Sequence, residues 1–421
     1  MNHVIIGAGP AGVVAAESIR RLQADASVTL IGDEPERPYS RMALPYYLIN
    51  QIDEFGTYLR KDSSHFAGMN IDVRQDSVAA INRSKQQITL SGGGSLPYDK
   101  LLIATGSRPV SPPIPGMDLP GIFSCWTLED GRNIAQRSKP GAKVLLMGAG
   151  FIGCIILEAL VKSGADLTVV EMEDRMVPRM MDDTAGSLIK SWCQDKGVAV
   201  YTSTKVTAIE AAGEAFSVTL STGETISADL IVSATGVRSN VDIVAGTGVE
   251  TDQGILINRN MQTNDPNIYA AGDVAQGRDF STGEYSVQAI QPTAAEHAQL
   301  AARNMVGLSG AIHRGSVNMN VLDTLGLISS SFGLWMGSDG GDSAELLNRE
   351  RYRYLNLRFD DDILVGATSL GLTQHVGVLR GLIQTKTRLG VWKQRLTEDP
   401  TRIMEAYLSS TQALGFNAAI L

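Results

Sequence analysis

The chain has 421 residues, 43% of them hydrophobic and 19% charged, which is ordinary for a globular protein of about two to four domains. A net charge of −9 without a long basic run argues against nucleic acid as the main partner, because phosphate binding needs concentrated Lys and Arg. No apolar run approaches the length of a transmembrane segment. Cys125, Cys154 and Cys193 are too far apart for a paired redox or zinc motif, so buried thiols and a reducing cytoplasm are expected.

The first predicted element is a strand that leads through a glycine-rich turn into a helix. Residues 4–6 are apolar, a G-x-G-x-x-G turn follows, and a second β-branched run at residues 28–31 leads to an acid. In such a unit the first glycine permits the tight turn, the second admits a pyrophosphate and the third lets helix and strand pack. The acid accepts hydrogen bonds from a ribose. The predicted nucleotide-binding residues are Gly7, Gly9, Pro10, Ala11, Gly12 and Glu34.

The same pattern recurs in the middle of the chain. Residues 144–147 are apolar, the G-x-G-x-x-G turn follows, and the run at residues 167–170 leads to an acid. The predicted residues of this copy are Gly148, Gly150, Gly153 and Glu171. One such turn is weak support for a nucleotide site, but two copies, each with its strand and acid, predict two sites.

The acids of the second copy favour NAD over NADP. Glu171 would bond a free 2′-hydroxyl, and with Glu173 it would repel a 2′-phosphate. Arg175 and Arg179 lie nearby and would either reach a phosphate or lie in a solvated loop.

Composition divides the chain into a nested arrangement. Residues 109–120 hold five prolines, and further boundaries are expected near residues 241–249 and after Val317. The predicted fold is α/β, with two Rossmann-like dinucleotide-binding domains, one inserted in the other, plus a C-terminal α+β interface domain. The first domain takes residues 1–112 and 244–317, the second 113–243 and the third 318–421. In the third, residues 352–359 and 363–369 are predicted strands, and residues 376–389 and 400–408 predicted helices.

Further motifs follow in a fixed order. An A-T-G motif ends residues 101–106, a second ends residues 231–236, a G-D pair ends residues 263–273, and residues 291–295 begin a helix. With the two turns, this set resembles the pyridine nucleotide-disulfide oxidoreductase superfamily, and most of all the rubredoxin and ferredoxin reductases and the flavin part of NAD(P)H nitrite reductases. The resemblance implies FAD in the first site and NAD(H) in the second. It adds cofactor-binding roles for Ala104, Thr105, Gly106, Gly236, Gly272, Asp273, Pro292 and Thr293.

The sequence departs from that family at two positions expected near the flavin. Met42 stands where single-cysteine members carry their redox cysteine, and a thioether forms neither a thiolate nor a mixed disulfide. Ile155 stands where many relatives carry a glutamate near the nicotinamide. Arg41, in a P-Y-x-R segment, is expected near the FAD pyrophosphate by resemblance.

The expected function is that of an FAD-dependent oxidoreductase without a redox disulfide. Electrons would pass from NADH through the flavin to an acceptor, first of all a rubredoxin- or ferredoxin-like protein or an iron–sulfur subunit, then quinone or oxygen. No catalytic side chain and no metal site are expected, and none of the five histidines is expected to act, His297 being the one nearest the flavin-facing helix.

Two alternatives remain open at this point. One is a flavin electron-relay subunit of a larger complex whose physiological donor is not NAD(P)H, and the other is a nucleotide-binding protein without turnover. A homodimer is expected through the C-terminal domain. A basic stretch would dock an acidic redox partner or an anionic membrane surface, or form a solvated helix face; its residues are Arg380, Lys386, Arg388, Lys393, Arg395 and Arg402.

Overall fold

The structure, a computed structural model, describes residues 1–308 and 310–418. Its strands are, in chain order, β1 (Asn2–Ile6), β2 (Ser27–Gly32), β3 (Ile71–Gln75), β4 (Val78–Asn82), β5 (Gln87–Leu90), β6 (Ser95–Pro97), β7 (Lys100–Ile103), β8 (Ser107–Pro109), β9 (Ile122–Phe123), β10 (Lys143–Met147), β11 (Asp166–Val170), β12 (Ala199–Tyr201), β13 (Val206–Ala212), β14 (Ala215–Leu220), β15 (Thr225–Ala228), β16 (Leu230–Ser233), β17 (Val237–Ser239), β18 (Ile255–Leu256), β19 (Ile268–Ala270), β20 (Ala275–Arg278), β21 (Tyr285–Ser286), β22 (Met319–Thr324), β23 (Leu327–Gly333), β24 (Asp342–Asn348), β25 (Arg353–Asp360) and β26 (Ile363–Leu370).

The α-helices are α1 (Pro10–Leu22), α2 (Leu44–Leu48), α3 (Glu54–Thr57), α4 (His65–Gly68), α5 (Leu128–Arg137), α6 (Phe151–Lys162), α7 (Asp183–Asp195), α8 (Gln291–Met305), α9 (Val376–Thr385), α10 (Val391–Glu398) and α11 (Ile403–Ala418). Short 3₁₀ turns lie at Arg41–Ala43, Asp242–Val244 and Gly272–Val274.

One compact unit consists of Met1–Val110, Val237–Asp279 and Gly283–Ser316. Its main sheet is parallel, in the order β19-β7-β1-β2-β3, so that β1 pairs with β2 on one side and β7 on the other. Strands of such a sheet are covered on both faces, which is why they read as continuous apolar runs. Ile5, Leu30 and Leu102 are fully buried in its core.

The other compact unit consists of Ser111–Gly236, Phe280–Thr282 and Val317–Leu421. It contains a second parallel sheet, in the order β12-β11-β10-β16-β9, and an antiparallel sheet, in the order β22-β23-β26-β25-β24. One face of the antiparallel sheet packs against α9, α10 and α11, with Leu357, Leu382 and Leu396 fully buried between them.

The C-terminal helices differ from the sequence prediction in their bounds. The predicted helix at residues 376–389 ends at Thr385, because Lys386 takes a left-handed conformation (φ 49°) that closes the last turn. A new helix begins at Val391. The next predicted helix begins at Ile403 instead of Pro400.

Candidate functional site

The turn between β1 and α1 is built around three glycines with different roles. A Cβ on Gly7 would lie 2.1 Å from the carbonyl oxygen of Ala104, and one on Gly12 would lie 1.9 Å from the carbonyl oxygen of Gly7. Gly7 also has φ +111°, a conformation that L side chains rarely adopt. A Cβ on Gly9 would meet no described atom within 4 Å. The chain's own packing therefore explains the first and third glycines, and only the middle one is open to an outside group.

The start of α1 supplies donors to that opening. Gly9 is the N-cap residue and provides no side-chain cap, Pro10 occupies the first turn, and the first turn carries no acid. The backbone N–H groups at such a helix start favour a phosphate, because they lack partners and lie at the positive end of the helix.

Glu34 is held by two neighbours on the segment that follows it. One carboxylate oxygen accepts a hydrogen bond from Arg41 Nη2 at 2.5 Å, and the other accepts one from the Tyr39 hydroxyl at 2.5 Å. Arg41 Nη1 also donates to the Tyr39 hydroxyl at 3.0 Å. Arg41 and Glu34 thus form one fixed group beside the first turn.

Asp273 lies where three segments of the first unit meet. Ser107 Oγ donates to its carboxylate at 2.9 Å, and Ser239 Oγ donates to its backbone carbonyl at 2.6 Å. Burial raises the pKa of Asp273, while the Ser107 hydrogen bond and the charge of Arg41 oppose that rise. The Asp273 carboxylate is therefore a buried hydrogen-bond acceptor, largely shielded from water.

Gly272 joins the starts of two helices. It has φ +77°, and a Cβ there would lie 3.2 Å from the Ala11 side chain and 3.4 Å from that of Ala294. α8, which contains Pro292 and the buried Thr293, also begins without a side-chain cap. The structure thus brings together the first turn, the G-D pair and the start of α8.

The A-T-G segment is fixed by Asn240. Its side-chain amide donates to the Thr105 carbonyl at 2.8 Å, and Thr105 Oγ1 donates to the Asn240 carbonyl at 3.1 Å. Ala104 N donates to the Ile6 carbonyl at 2.7 Å, and Gly106, at φ +66°, has open space at its Cβ position. Sequence reasoning missed Asn240, since it lies far along the chain and belongs to no motif.

The turn between β10 and α6 repeats the geometry of the first. A Cβ on Gly148 would lie 2.5 Å from the Ala234 carbonyl oxygen, and one on Gly153 would lie 2.2 Å from the Gly148 carbonyl oxygen. Gly150 again has no described atom within 4 Å of its Cβ position, and α6 begins without a side-chain cap or a first-turn acid. Gly236, at φ +118°, is also open at its Cβ position.

Glu171 is buried and serves the second turn directly. One carboxylate oxygen accepts from Ala149 N at 2.6 Å, and the other accepts from Glu173 N at 2.9 Å. The carboxylate therefore shapes the turn as well as being available to a ribose. Arg175 pairs with Asp174 and Asp183, each at 2.8 Å, whereas Arg179 is exposed.

The two unusual positions have different surroundings. Met42 lies in the 3₁₀ turn before α2 and is 46% exposed. Ile155 is half-buried on the first turns of α6. Cys154, its neighbour, is fully buried, and burial raises the pKa of its thiol well above the ordinary value. Burial likewise raises the pKa of Cys125 to about 12 and that of Cys193 to about 12.

Three of the six residues of the basic C-terminal stretch pair with acids of the same chain. Arg388 pairs with Asp362 at 2.8 Å, Lys393 pairs with Asp342, and Arg402 pairs with Glu405. Arg395 and Arg402 also stack on Trp392. Within the described residues, no helix is long and apolar enough to cross a membrane, and no cluster of His, Cys, Asp or Glu could hold a metal ion.

Comparisons with known proteins identify a family whose model matches most of the chain. The family model described as pyridine nucleotide-disulphide oxidoreductase matches residues 1–302. The chain is 31% identical over 413 residues to subunit epsilon of the NADH-dependent phenylglyoxylate dehydrogenase of Aromatoleum evansii, covering 97% of this chain and 98% of that protein.

Two further similarities extend this result. The ferredoxin–NAD(+) reductase component of 3-phenylpropionate/cinnamic acid dioxygenase from Photorhabdus laumondii is 33% identical over 310 residues, 73% of this chain and 78% of that protein. The solved structure of the covalent putidaredoxin reductase–putidaredoxin complex has the same fold, with a TM-score of 0.89 over 97% of this chain and 99% of that one at 24% identity.

Proposed function

Because the chain belongs to the pyridine nucleotide-disulphide oxidoreductase family, we propose that it carries electrons between NADH and an iron–sulfur protein, with FAD as the intermediary. It is an FAD-dependent NAD(P)H oxidoreductase. The observation that carries the proposal is the pair of strand–turn–helix units in which only the middle glycine, Gly9 or Gly150, is open to a ligand.

In this proposal the first unit holds FAD. The turn of Gly7, Gly9 and Gly12 receives the pyrophosphate at the start of α1, and Glu34, fixed by Arg41, receives the adenosine ribose. Asp273 accepts hydrogen bonds from the polar chain that links the pyrophosphate to the flavin. The start of α8, at Pro292 and Thr293, would stabilise negative charge on the reduced flavin, because it is the positive end of the helix dipole. When bound, FAD accepts a hydride and releases electrons one at a time or in a pair.

The second turn holds NADH. Gly148, Gly150 and Gly153 receive its pyrophosphate at the start of α6, and Glu171 favours the free 2′-hydroxyl of NAD over the 2′-phosphate of NADP. No side chain has to move a proton for hydride transfer, so the work of this chain is binding and orientation.

Electrons leave without a protein disulfide. Met42 offers a thioether, and Cys125, Cys154 and Cys193 are buried thiols whose pKa values burial raises. Since the thiolate is the reactive form, none of these sulfurs is prepared for exchange. An external one-electron carrier such as an iron–sulfur protein is the acceptor that this arrangement favours.

A second candidate is a flavin electron-relay subunit of a larger complex, whose donor is not NAD(P)H. The similarity to a dehydrogenase subunit over almost the full length of both chains favours membership of a larger complex. Anaerobic mixing with NADH separates the two: rapid bleaching of the flavin's visible absorbance is expected for the first. Flavin that stays oxidised at millimolar NADH, but is reduced by a low-potential iron–sulfur protein, would identify the relay.

We also propose a cytoplasmic homodimer, in which the C-terminal segment from Val317 onward supplies the contact. Light scattering of the FAD-loaded protein at micromolar concentration tests this, and a mass of one chain of 45.0 kDa would exclude the dimer.

Replacing Glu171 by Gln tests the second nucleotide site. Gln has one acceptor oxygen for two backbone donors, Ala149 N and Glu173 N, so one of them loses its partner. We expect the KM for NADH to rise about tenfold, the equivalent of ~1.4 kcal/mol, with FAD content unchanged. Glu173→Gln is the matched control, because it removes the same charge from an exposed side chain. An equal rise in KM for NADH in both variants would mean that Glu171 acts through its charge and not through its hydrogen bonds to the turn.

A further inference from the structure

Two tyrosines, Tyr352 in the turn before β25 and Tyr354 on β25, contact opposite ends of α7. The Tyr354 hydroxyl donates to Asp182 Oδ2 at 2.8 Å, and Asp182 is the N-cap residue of the helix. The Tyr352 hydroxyl donates to Asp195, the last residue of the same helix. The two contacts have the same chemistry, but they lie at opposite ends of one element.

The contact at the start of α7 is buried and the one at its end is exposed. Tyr354 is 1% exposed and Asp182 is 6% exposed, and the Asn356 side-chain amide donates to the Tyr354 oxygen at 2.8 Å. Burial and the nearby Asp182 charge raise the pKa of Tyr354, so its phenol stays protonated and donates. Among the described residues Asp182 has no cationic partner, and its second oxygen accepts from Ala185 N at 2.9 Å. This buried carboxylate therefore depends on neutral donors.

The sheet face around Tyr354 carries buried polar side chains, and some of their polar atoms lack hydrogen-bond partners among the described residues. Asn356 lies opposite Thr368 across β25 and β26, and Asn356 Oδ1 and Thr368 Oγ1 are buried without a hydrogen-bond partner among the described residues. An apolar pair would avoid unsatisfied groups, so a polar face at this place indicates that its specific hydrogen bonds matter.

Asp182 closes the loop that leads back to the second nucleotide turn. The loop follows Glu171, and within it Val177 N donates to the Ala149 carbonyl at 2.8 Å. Val177 is fully buried at φ +52°, a conformation that a β-branched residue adopts only when its surroundings impose it. Ala149, whose N–H is bound by Glu171, is thus held by the loop on its carbonyl side as well.

We propose that Tyr354 is a positioning residue for the pyridine nucleotide. Through Asp182 it fixes the end of the loop at residues 172–182, and this loop holds Val177 in the strained conformation that sets the turn of Gly148 to Gly153. The C-terminal sheet thereby contributes to nucleotide affinity without touching the nucleotide. The inference rests on the proposed function only in placing NAD(H) at this turn.

The test compares Tyr354→Phe with Tyr352→Phe in the full FAD-loaded protein. Each variant removes one hydroxyl that donates to an aspartate at one end of α7, so Tyr352→Phe is a matched control for the change itself. We expect Tyr354→Phe to raise the Kd for NAD+, measured by titration calorimetry, and the KM for NADH by about three- to tenfold. The kcat and the FAD content should stay close to wild type, and Tyr352→Phe should change neither constant.

Equal NAD+ affinity in Tyr354→Phe and wild type overturns the proposal, as does an equal loss in Tyr352→Phe. Asp182→Asn serves if Tyr354→Phe yields no folded protein, because Asn keeps an oxygen for Ala185 N while it removes the charged acceptor of Tyr354. The same loss of NAD+ affinity is expected. If NADH does not reduce the wild-type flavin, the proposed electron donor fails, but the calorimetric comparison still decides the role of Tyr354.

Discussion

Gly9→Ala should give a folded protein that purifies with little FAD. The backbone at Gly9 (φ −76°, ψ −174°) suits any residue, and the added methyl would meet no described atom within 4 Å. The methyl would instead occupy the space through which a pyrophosphate approaches the start of α1. Overpacking by one methyl costs ~1–3 kcal/mol, so FAD affinity should fall about 5- to 150-fold.

Gly12→Ala should fail for a different reason. Its Cβ would lie 1.9 Å from the Gly7 carbonyl oxygen, so the backbone of the turn would have to move. We expect a loss of stability of about 3 kcal/mol or more, together with loss of FAD. Gly150→Ala is the matched control for Gly9→Ala at the other turn, where NADH affinity should fall while FAD content stays normal.

Flavin absorbance per chain and the thermal midpoint of the FAD-free protein separate these outcomes. Gly9→Ala should have the midpoint of wild type, and Gly12→Ala a lower one. Full FAD content in Gly9→Ala would mean that the pyrophosphate does not lie on this turn. A wild-type midpoint in Gly12→Ala would contradict the packing role of the third glycine.

The two glycine turns show what local sequence can predict. Gly7 and Gly12, or Gly148 and Gly153, are required within a few residues of one another, so their spacing alone indicates the strand–turn–helix unit. The prediction that the cofactors are FAD and NAD(H) followed from these turns and from the family resemblance, and the family comparison confirms it. The roles of the individual site residues stay predictions.

The sequence does not predict contacts between residues that lie far apart along the chain. Asn240 fixes Thr105 from 135 positions away, and Tyr354 reaches Asp182 from 172 positions away. Neither residue belongs to a motif, since a tyrosine in a strand or an asparagine after one has many ordinary uses. The left-handed Lys386, which ends a helix early, carries no local signal such as glycine.

His297 should make the protein sensitive to acid. Its side chain is 3% exposed, its Nδ1 has no hydrogen-bond partner among the described residues, and its Nε2 lies 3.4 Å from Ser316 Oγ. The His313 ring packs edge-on against it, with centroids 4.8 Å apart. Burial, and to a lesser extent His313, lowers the pKa of His297 from 6.5 to about 3. The folded state therefore excludes a proton that the unfolded chain binds.

The sign of the pH effect follows from that difference. Above pH 6.5 neither state binds the proton, and the contribution of His297 is fully present; below it, the unfolded state gains the proton alone. Stability should then fall by up to about 1.4 kcal/mol per pH unit, or ~2 kcal/mol between pH 6.5 and 4.5, and the loss should level off near pH 3.

His297→Gln removes this titration, while its amide can still reach Ser316. We expect the free energy of unfolding in urea to fall less steeply with decreasing pH in the variant than in wild type between pH 6.5 and 4.5. The difference in slope should correspond to the uptake of one proton, even if the variant is less stable at neutral pH. His375→Gln, at an exposed histidine, is the control and should keep the wild-type slope. Parallel pH curves for wild type and His297→Gln would show that His297 is protonated in the folded protein, and that acid acts elsewhere.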